Sequence, residues 1–157
     1  MRRALLFGVA SAVFALDRIS KMALPELLSD GTPRQILGST LQLIRSENRG
    51  GLFGIVQGSA PILAALSLGV IVALLLFHER EGTKRVTPIT VAVALLIGGA
   101  LGNLIDRVAF GFVLDFVDIG IGTLRFWTFN VADMGISLGI LLLLADTLLR
   151  SRRGVRS

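Results

Sequence analysis

The chain has 157 residues, of which 53% are hydrophobic and 17% charged; with a mean hydropathy of +0.76 this excludes an ordinary soluble domain, and the length leaves room for a few spanning helices of roughly 20 residues and no separate soluble unit. Sixteen Lys and Arg stand against eleven Asp and Glu, a formal charge of +5, but they sit at the ends of apolar segments and in loops, so nucleic acid is excluded as a partner. With no Cys and one His, His78, no disulfide, thiolate nucleophile, zinc cluster or cofactor is expected, and hydrolytic chemistry has to come from Asp, Glu, Ser, Lys or Thr.

The first apolar stretch runs from Ala4 to about Leu24 and is interrupted by Asp17, Arg18 and Lys21. Met1-Arg2-Arg3 ahead of an apolar run, with Ala10, Ser11, Ala12 and Ala15 as small residues, also fits a cleavable secretory signal as an alternative. The loop from 25 to 58 contains Leu41 and Leu43, a polar turn over Glu47-Asn48-Arg49-Gly50-Gly51, then Leu52, Phe53, Ile55 and Val56, a pattern of two short strands about a Gly-rich turn. A second apolar helix is predicted over 59–77, a short basic connection with Arg80, Lys84 and Arg85 follows, and a third helix is predicted over 87–105. The loop from 107 to 130 repeats the strand pattern: Val113, Phe116 and Ile119, a Gly120-Ile121-Gly122 turn, then Leu124, Phe126 and Phe129. The fourth helix is predicted over 131–149, ahead of Arg150, Arg152, Arg153 and Arg156.

Basic flanks mark the cytoplasmic side, so both termini are expected there and the two longer loops outside. The expected fold is an all-α transmembrane bundle of four helices with a small extracytoplasmic β platform, forming a single domain over 1–157.

A charge inside the bilayer costs at least about 2.5–3.5 kcal/mol, so each one calls for a partner or a task. In this topology Asp17 and Lys21, then Asn103, Asp106 and Arg107, then Asn130 and Asp133 all fall at the outer end of their helices, within reach of Asn48 and Asp115 in the loops. Clustered carboxylates push each other's proton affinities apart, the setting for paired acid and base chemistry. A purely structural reading competes with it: Asp17 and Lys21 have the i, i+4 spacing of a helix-stabilising pair, and Asp106 stands beside Arg107 as a possible ion pair.

Gly98 with Gly102, and Gly135 with Gly139, give the small-xxx-small spacing of close helix packing. His78 reads as solvated or facing headgroups, Asp146 as a partner of Arg150, and Trp127 with Phe126 and Phe129 as an interfacial anchor or the wall of a lipid groove. Three rivals stand beside a paired-carboxylate enzyme. A proton-coupled transporter or channel subunit should spread polar residues over the full membrane depth, whereas the second helix has only Ser67. A Ser-Lys peptidase would use Lys21 with Ser20 or Ser46. A non-catalytic scaffold would need no clustered carboxylates.

Four blocks together carry a family resemblance: Asp17-Arg18-Ile19-Ser20-Lys21; Asn48-Arg49-Gly50-Gly51-Leu52-Phe53-Gly54; Gly98 to Arg107 running on to Val113-Leu114-Asp115-Phe116; and Phe129-Asn130-Val131-Ala132-Asp133. The sequence resembles lipoprotein signal peptidase, also called signal peptidase II. It departs from the family pattern at Arg18, where Gln is usual, and at Thr128, where Pro is usual. The resemblance implies an aspartic endopeptidase that removes the signal peptide from diacylglyceryl-modified prolipoproteins by cleaving before the lipidated Cys. It implies Asp115 and Asp133 as the catalytic pair, Asn48, Gly50, Asn103, Asp106, Arg107 and Asn130 as substrate-binding or supporting residues, and Asp17 and Lys21 as structural. It also implies no metal or cofactor, a lipid-modified prolipoprotein and membrane lipid as partners, a monomer, and residence in the bacterial inner membrane with the site near the outer face.

Overall fold

The computed structural model describes residues 1–28, 31–50, 60–81 and 85–154. These form the helices α1 (Arg2–Leu27), α2 (Ala60–Arg80), α3 (Pro88–Phe110) and α4 (Val131–Gly154), and the strands β1 (Arg34–Leu37), β2 (Leu41–Asn48), β3 (Val113–Ile121) and β4 (Leu124–Arg125). Three helices, α2, α3 and α4, are long and apolar enough to cross a membrane.

Each helix runs past the C-terminal end of the apolar stretch that predicts it, to Leu27, Arg80, Phe110 and Gly154. In α3 the limits come from capping. Thr87 accepts from Thr90 N in a capping box, Pro88 occupies the first turn, and Gly111 closes the helix in the left-handed conformation at φ 76° with its N–H on Arg107 O. Asp106 and Arg107 therefore belong to the last turns of α3 and not to a loop.

α3 is the central helix and packs against α1, α2 and α4. Inside the protein, 56% of its apolar stretch is buried, against 6% for α2 and 17% for α4, which turn their apolar faces outward. Leu6 and Ala10 of α1, Ile71 of α2 and Val93, Ala94 and Ile97 of α3 form the core, so the first apolar segment is integral to the fold. The predicted small-residue contacts are present. A Cβ on Gly98 would lie 2.6 Å from Ala10 O, one on Gly102 2.5 Å from Asp17 Oδ2, and one on Gly135 2.8 Å from Val13 Cγ1.

At the opposite end of the bundle from the sheet, Arg2 bonds Glu81 at 2.7 Å and the His78 carbonyl, and Arg3 pairs with Glu79. His78 is consequently buried, at 2% exposure, and not solvated as the sequence suggests: α2 runs a turn past Phe77, and the start of α1 closes over it. Asp146 and Arg150 pair as expected at 2.6 Å.

The strands form one antiparallel sheet in the order β1-β2-β3-β4. The first hairpin is β1 to β2, turning at Gly38 with φ 52°, and the strand expected after Asn48 falls largely on residues outside the described set. In the second hairpin Gly120 pairs with Arg125 and Ile121 with Leu124. The turn is thus Gly122-Thr123, with Gly122 at φ 59°, one step later than the Gly120-Ile121-Gly122 turn expected. Arg125 fixes this hairpin through Asp118 and the Ser39 carbonyl.

Candidate active site

The sequence Asn130-x-x-Asp133 makes its own helix start. Asp133 N donates to Asn130 Oδ1 at 2.9 Å and Asn130 N to Asp133 Oδ2 at 3.3 Å, a reciprocal cap with Asp in the third helical position. This orients the Asp133 carboxylate at the mouth of α4, where its Oδ1 accepts from Asn103 Nδ2 of α3 at 2.8 Å.

Asp115 arrives from β3. Ser46 lies opposite it on β2, and Asn48, the diagonal neighbour on the same face, donates to Asp115 Oδ2 at 3.1 Å. Asn130 Nδ2 bridges the two halves, donating to Asp115 Oδ1 at 2.6 Å and to Asn103 Oδ1 at 3.1 Å. The chain Asn48, Asp115, Asn130, Asn103, Asp133 is therefore continuous, with amide donors facing carboxylate oxygens. Backbone bonds between Phe129 and both Phe116 and Val117 pin β3 to the entry of α4. Asp115 is 2% exposed. Burial first, then the neighbouring Asp133 charge, push its carboxyl up to about 6, against the opposing hydrogen bonds from Asn48 and Asn130 and the Lys21 charge.

Behind this pair lies a second, fully charged layer. Lys21 Nζ contacts Asp17 Oδ2 at 2.9 Å and Asp106 Oδ2 at 2.7 Å. Arg18 Nη2 contacts Asp106 Oδ1 at 2.5 Å and Asp17 Oδ2 at 3.2 Å. Each carboxylate also holds one backbone amide: Asp17 Oδ1 accepts from Ala132 N and Asp106 Oδ2 from Leu114 N, both at 3.1 Å. Those amides immediately precede Asp133 and Asp115. The suggested Asp106–Arg107 ion pair does not form: both Asp106 oxygens are taken by Arg18 and Lys21 of α1, and Arg107 donates to Asn103 O.

In front of the pair opens a groove of about 930 Å³ between α2, α3, α4 and the sheet. Leu63, Leu66, Ser67 and Val70 of α2 line it at i, i+3, i+4 and i+7, and Asp133, Ile136, Ser137 and Ile140 of α4 repeat that spacing. Ala100, Asn103 and Arg107 of α3, Ser46 and Asn48 of β2, and Phe126, Trp127 and Phe129 complete the wall. Of the residues singled out from sequence, Asn48, Asn103, Arg107, Asp115 and Asp133 face the groove, Gly50 supports it by donating its N–H to Asn48 Oδ1, Asn130 is fully buried behind it, and Asp17, Lys21 and Asp106 lie in the charged layer. Sequence reading missed Ser137 and the place of Arg18; the helical periodicity around Asp133 was the available signal for Ser137. Another cavity, of about 550 Å³ between the end of α1 and β2, holds none of these residues.

The family model for signal peptidase (SPase) II matches residues 9–149. The chain belongs to the signal peptidase II family. Among its relatives, the lipoprotein signal peptidase of Burkholderia cenocepacia is 35% identical, the alignment covering 92% of this chain and 88% of the relative. That of Paraburkholderia phytofirmans is 37% identical over 92% and 85%. A solved bacterial membrane enzyme superposes with a TM-score of 0.85 at 28% identity, covering 93% of this chain and 88% of the other, and a second with 0.80 at 29% identity, covering 91% and 92%.

Membership in the signal peptidase II family makes this chain a membrane protease and disfavours the transporter reading. The Ser-Lys alternative finds no support in the geometry. Lys21 is taken up by two carboxylates and Ser20 Oγ donates to Asp17 O, so this signal peptidase assembles no serine nucleophile with a lysine base there.

Proposed function

We propose that this enzyme removes signal peptides from lipid-modified prolipoproteins with Asp115 and Asp133 as its catalytic pair, cutting before the lipidated Cys. The supporting observation is the shared amide: Asn130 bonds Asp115 from β3 and caps the helix turn that carries Asp133, so two carboxylates from separate elements are aimed at one end of one groove. Two close carboxylates resist joint ionisation and share one proton. The ionised member takes a proton from water, whose oxygen attacks the scissile carbonyl carbon while the protonated member gives its proton to the carbonyl oxygen. The tetrahedral species then collapses: the C–N bond breaks as the proton taken from water passes to the leaving amine, and one of the two hydroxyls returns its proton to the other carboxylate, which re-forms the carbonyl and restores the singly protonated pair. The pair titrates as a unit. Asn48, Asn103 and Asn130, with Gly50 behind Asn48, hold the carboxylates, and Arg107, Asn48 and Asn103, which line the groove, orient the substrate backbone.

The apolar walls from α2 and α4 suit the apolar segment of a signal peptide and the lipid chains that follow it. All four helices cross the membrane in this reading. α1 spans about 39 Å at 1.5 Å per residue over its 26 residues, and it exposes Phe7, Leu16, Ile19 and Met22 while Asp17 and Lys21 point inward. Both termini then lie in the cytoplasm, the sheet and catalytic pair at the outer face of the inner membrane, and 1–157 forms one monomeric domain.

The test is turnover of a lipidated prolipoprotein by Asp115→Asn and Asp133→Asn, each purified and shown to be folded. Each should lose about 10²–10⁴-fold, and the double variant should be barely worse than either. Retention of more than about a tenth of turnover by either variant, below the smallest loss expected of a general acid or base, refutes the assignment.

A further inference from the structure

The charged layer under the catalytic pair contains one member that the family pattern does not require. Arg18 occupies a position where the family usually has Gln, and it contacts both buried carboxylates of the layer at once. We infer that Arg18 is a positioning residue that balances the charge of this layer and thereby sets the pH range over which Asp115 and Asp133 share their proton. The inference rests on the catalytic reading of that pair.

Charges at the site come from four of the elements packed around it. α1 supplies Asp17, Arg18 and Lys21, α3 supplies Asp106 and Arg107, β3 supplies Asp115 and α4 supplies Asp133. The facing residues Ser46 and Asn48 of β2 and Leu63, Leu66, Ser67 and Val70 of α2 carry no charge. Four carboxylates with one shared proton carry three negative charges, and Arg18, Lys21 and Arg107 carry three positive ones. The site is neutral when, and only when, the pair holds a single proton, which is the state the reaction needs. Without the Arg18 charge, neutrality requires two protons on the pair, so the singly protonated state is reached at higher pH. Asp17 is 0% and Asp106 1% exposed and the Arg18 side chain 21%, so solvent screens this difference only in part.

Position is coupled to charge through the amides. Asp106 has Arg18 on Oδ1 and both Lys21 and Leu114 N on Oδ2. Arg18 therefore fixes the rotation of the carboxylate that holds the backbone one residue before Asp115. The only guanidinium nitrogen used in these contacts is Nη2, which a lysine ammonium can replace.

The experiment is the pH profile of kcat/KM on a lipidated prolipoprotein for wild type, Arg18→Gln and Arg18→Lys, with Asp115→Asn as a control. Gln keeps a hydrogen-bond donor and removes the charge, and a thermal melt of each variant verifies that the fold is intact. Both limbs of the profile should move to higher pH by about half to one unit in Arg18→Gln and return to the wild-type position in Arg18→Lys. A purely structural Arg18 would lower kcat or thermal stability with the limbs unmoved. Unmoved limbs in Arg18→Gln, with Asp115→Asn inactive, overturn the inference and leave the pair standing. An active Asp115→Asn overturns the catalytic reading itself.

Discussion

Gly99→Ala tests how tightly the helix packing sets the catalytic geometry. A Cβ at Gly99 would run into the Ala132 carbonyl oxygen and lie 2.8 Å from Ile136 Cγ1, both on α4 and the first of them adjacent to Asp133. Relief to ordinary contact requires α4 to move from α3 by roughly 1 Å, since carbon contacts settle at about 3.5–4.0 Å. That movement stretches the 2.8 Å bond from Asn103 to Asp133, and a misplacement of about 1 Å costs on the order of 10²-fold in turnover. Overpacking also destabilises by about 1–3 kcal/mol, or roughly 2–12 °C in Tm for a chain of this size. Gly69→Ala on α2, where an added Cβ meets nothing within 4 Å, is the matched control and should leave both turnover and Tm at or above wild type. The assay is single-turnover cleavage of a lipidated prolipoprotein in detergent, beside a thermal melt of each variant. Wild-type turnover in Gly99→Ala, or an equal loss in Gly69→Ala, would refute the claim that this contact positions Asp133.

The wild-type pH profile should show the buried carboxyl directly. With Asp115 pushed up to about 6 by burial and by Asp133, the shared proton is held below that pH and lost above it, so kcat/KM should fall as pH rises through this region; kcat, measured with the groove sealed by substrate, should fall at a higher pH. A kcat/KM flat from about pH 5 to pH 8 contradicts the shared proton. For topology, tags at either terminus should be accessible only from the cytoplasmic side while a probe at Ser39 labels from outside. Removal of a tag at Ser157 by external protease in intact cells would overturn it.

Local rules carry a large part of this protein. Composition and the length of four apolar runs located the helices, because an apolar run of about 20 residues is a property of the segment itself; among the described residues three of them, α2, α3 and α4, are long and apolar enough to cross a membrane. The spacing of Gly98 with Gly102 and Gly135 with Gly139 gave the close helix contacts now seen against α1 and α3. Charges at the outer ends of the first, third and fourth runs gave the polar cluster, and the matched blocks singled out Asp115 and Asp133 within it.

Helix ends were less legible, since hydropathy marks where apolar residues stop while Gly111 in α3 marks where the backbone turns. The burial of His78 depends on the start of α1 closing over the end of α2, a contact between residues more than seventy positions apart. β1 escaped notice because its four residues, Arg34 to Leu37, are exposed throughout and show no alternation.

Partner choice within the cluster belongs to the tertiary structure alone. Sequence adjacency offers Arg107 to Asp106, yet Asp106 takes Arg18 and Lys21 from α1, and the groove takes its walls from α2, α3 and α4 together. Hydropathy and helical period are properties of one segment read along its axis. Which carboxylate meets which cation depends on how each helix is rotated and set against its neighbours, and that is decided where Gly98, Gly99 and Gly102 of α3 let α1 and α4 approach closely enough for Asp17, Arg18 and Lys21 to meet Asp106 and the amides of Ala132 and Leu114 in one polar cluster.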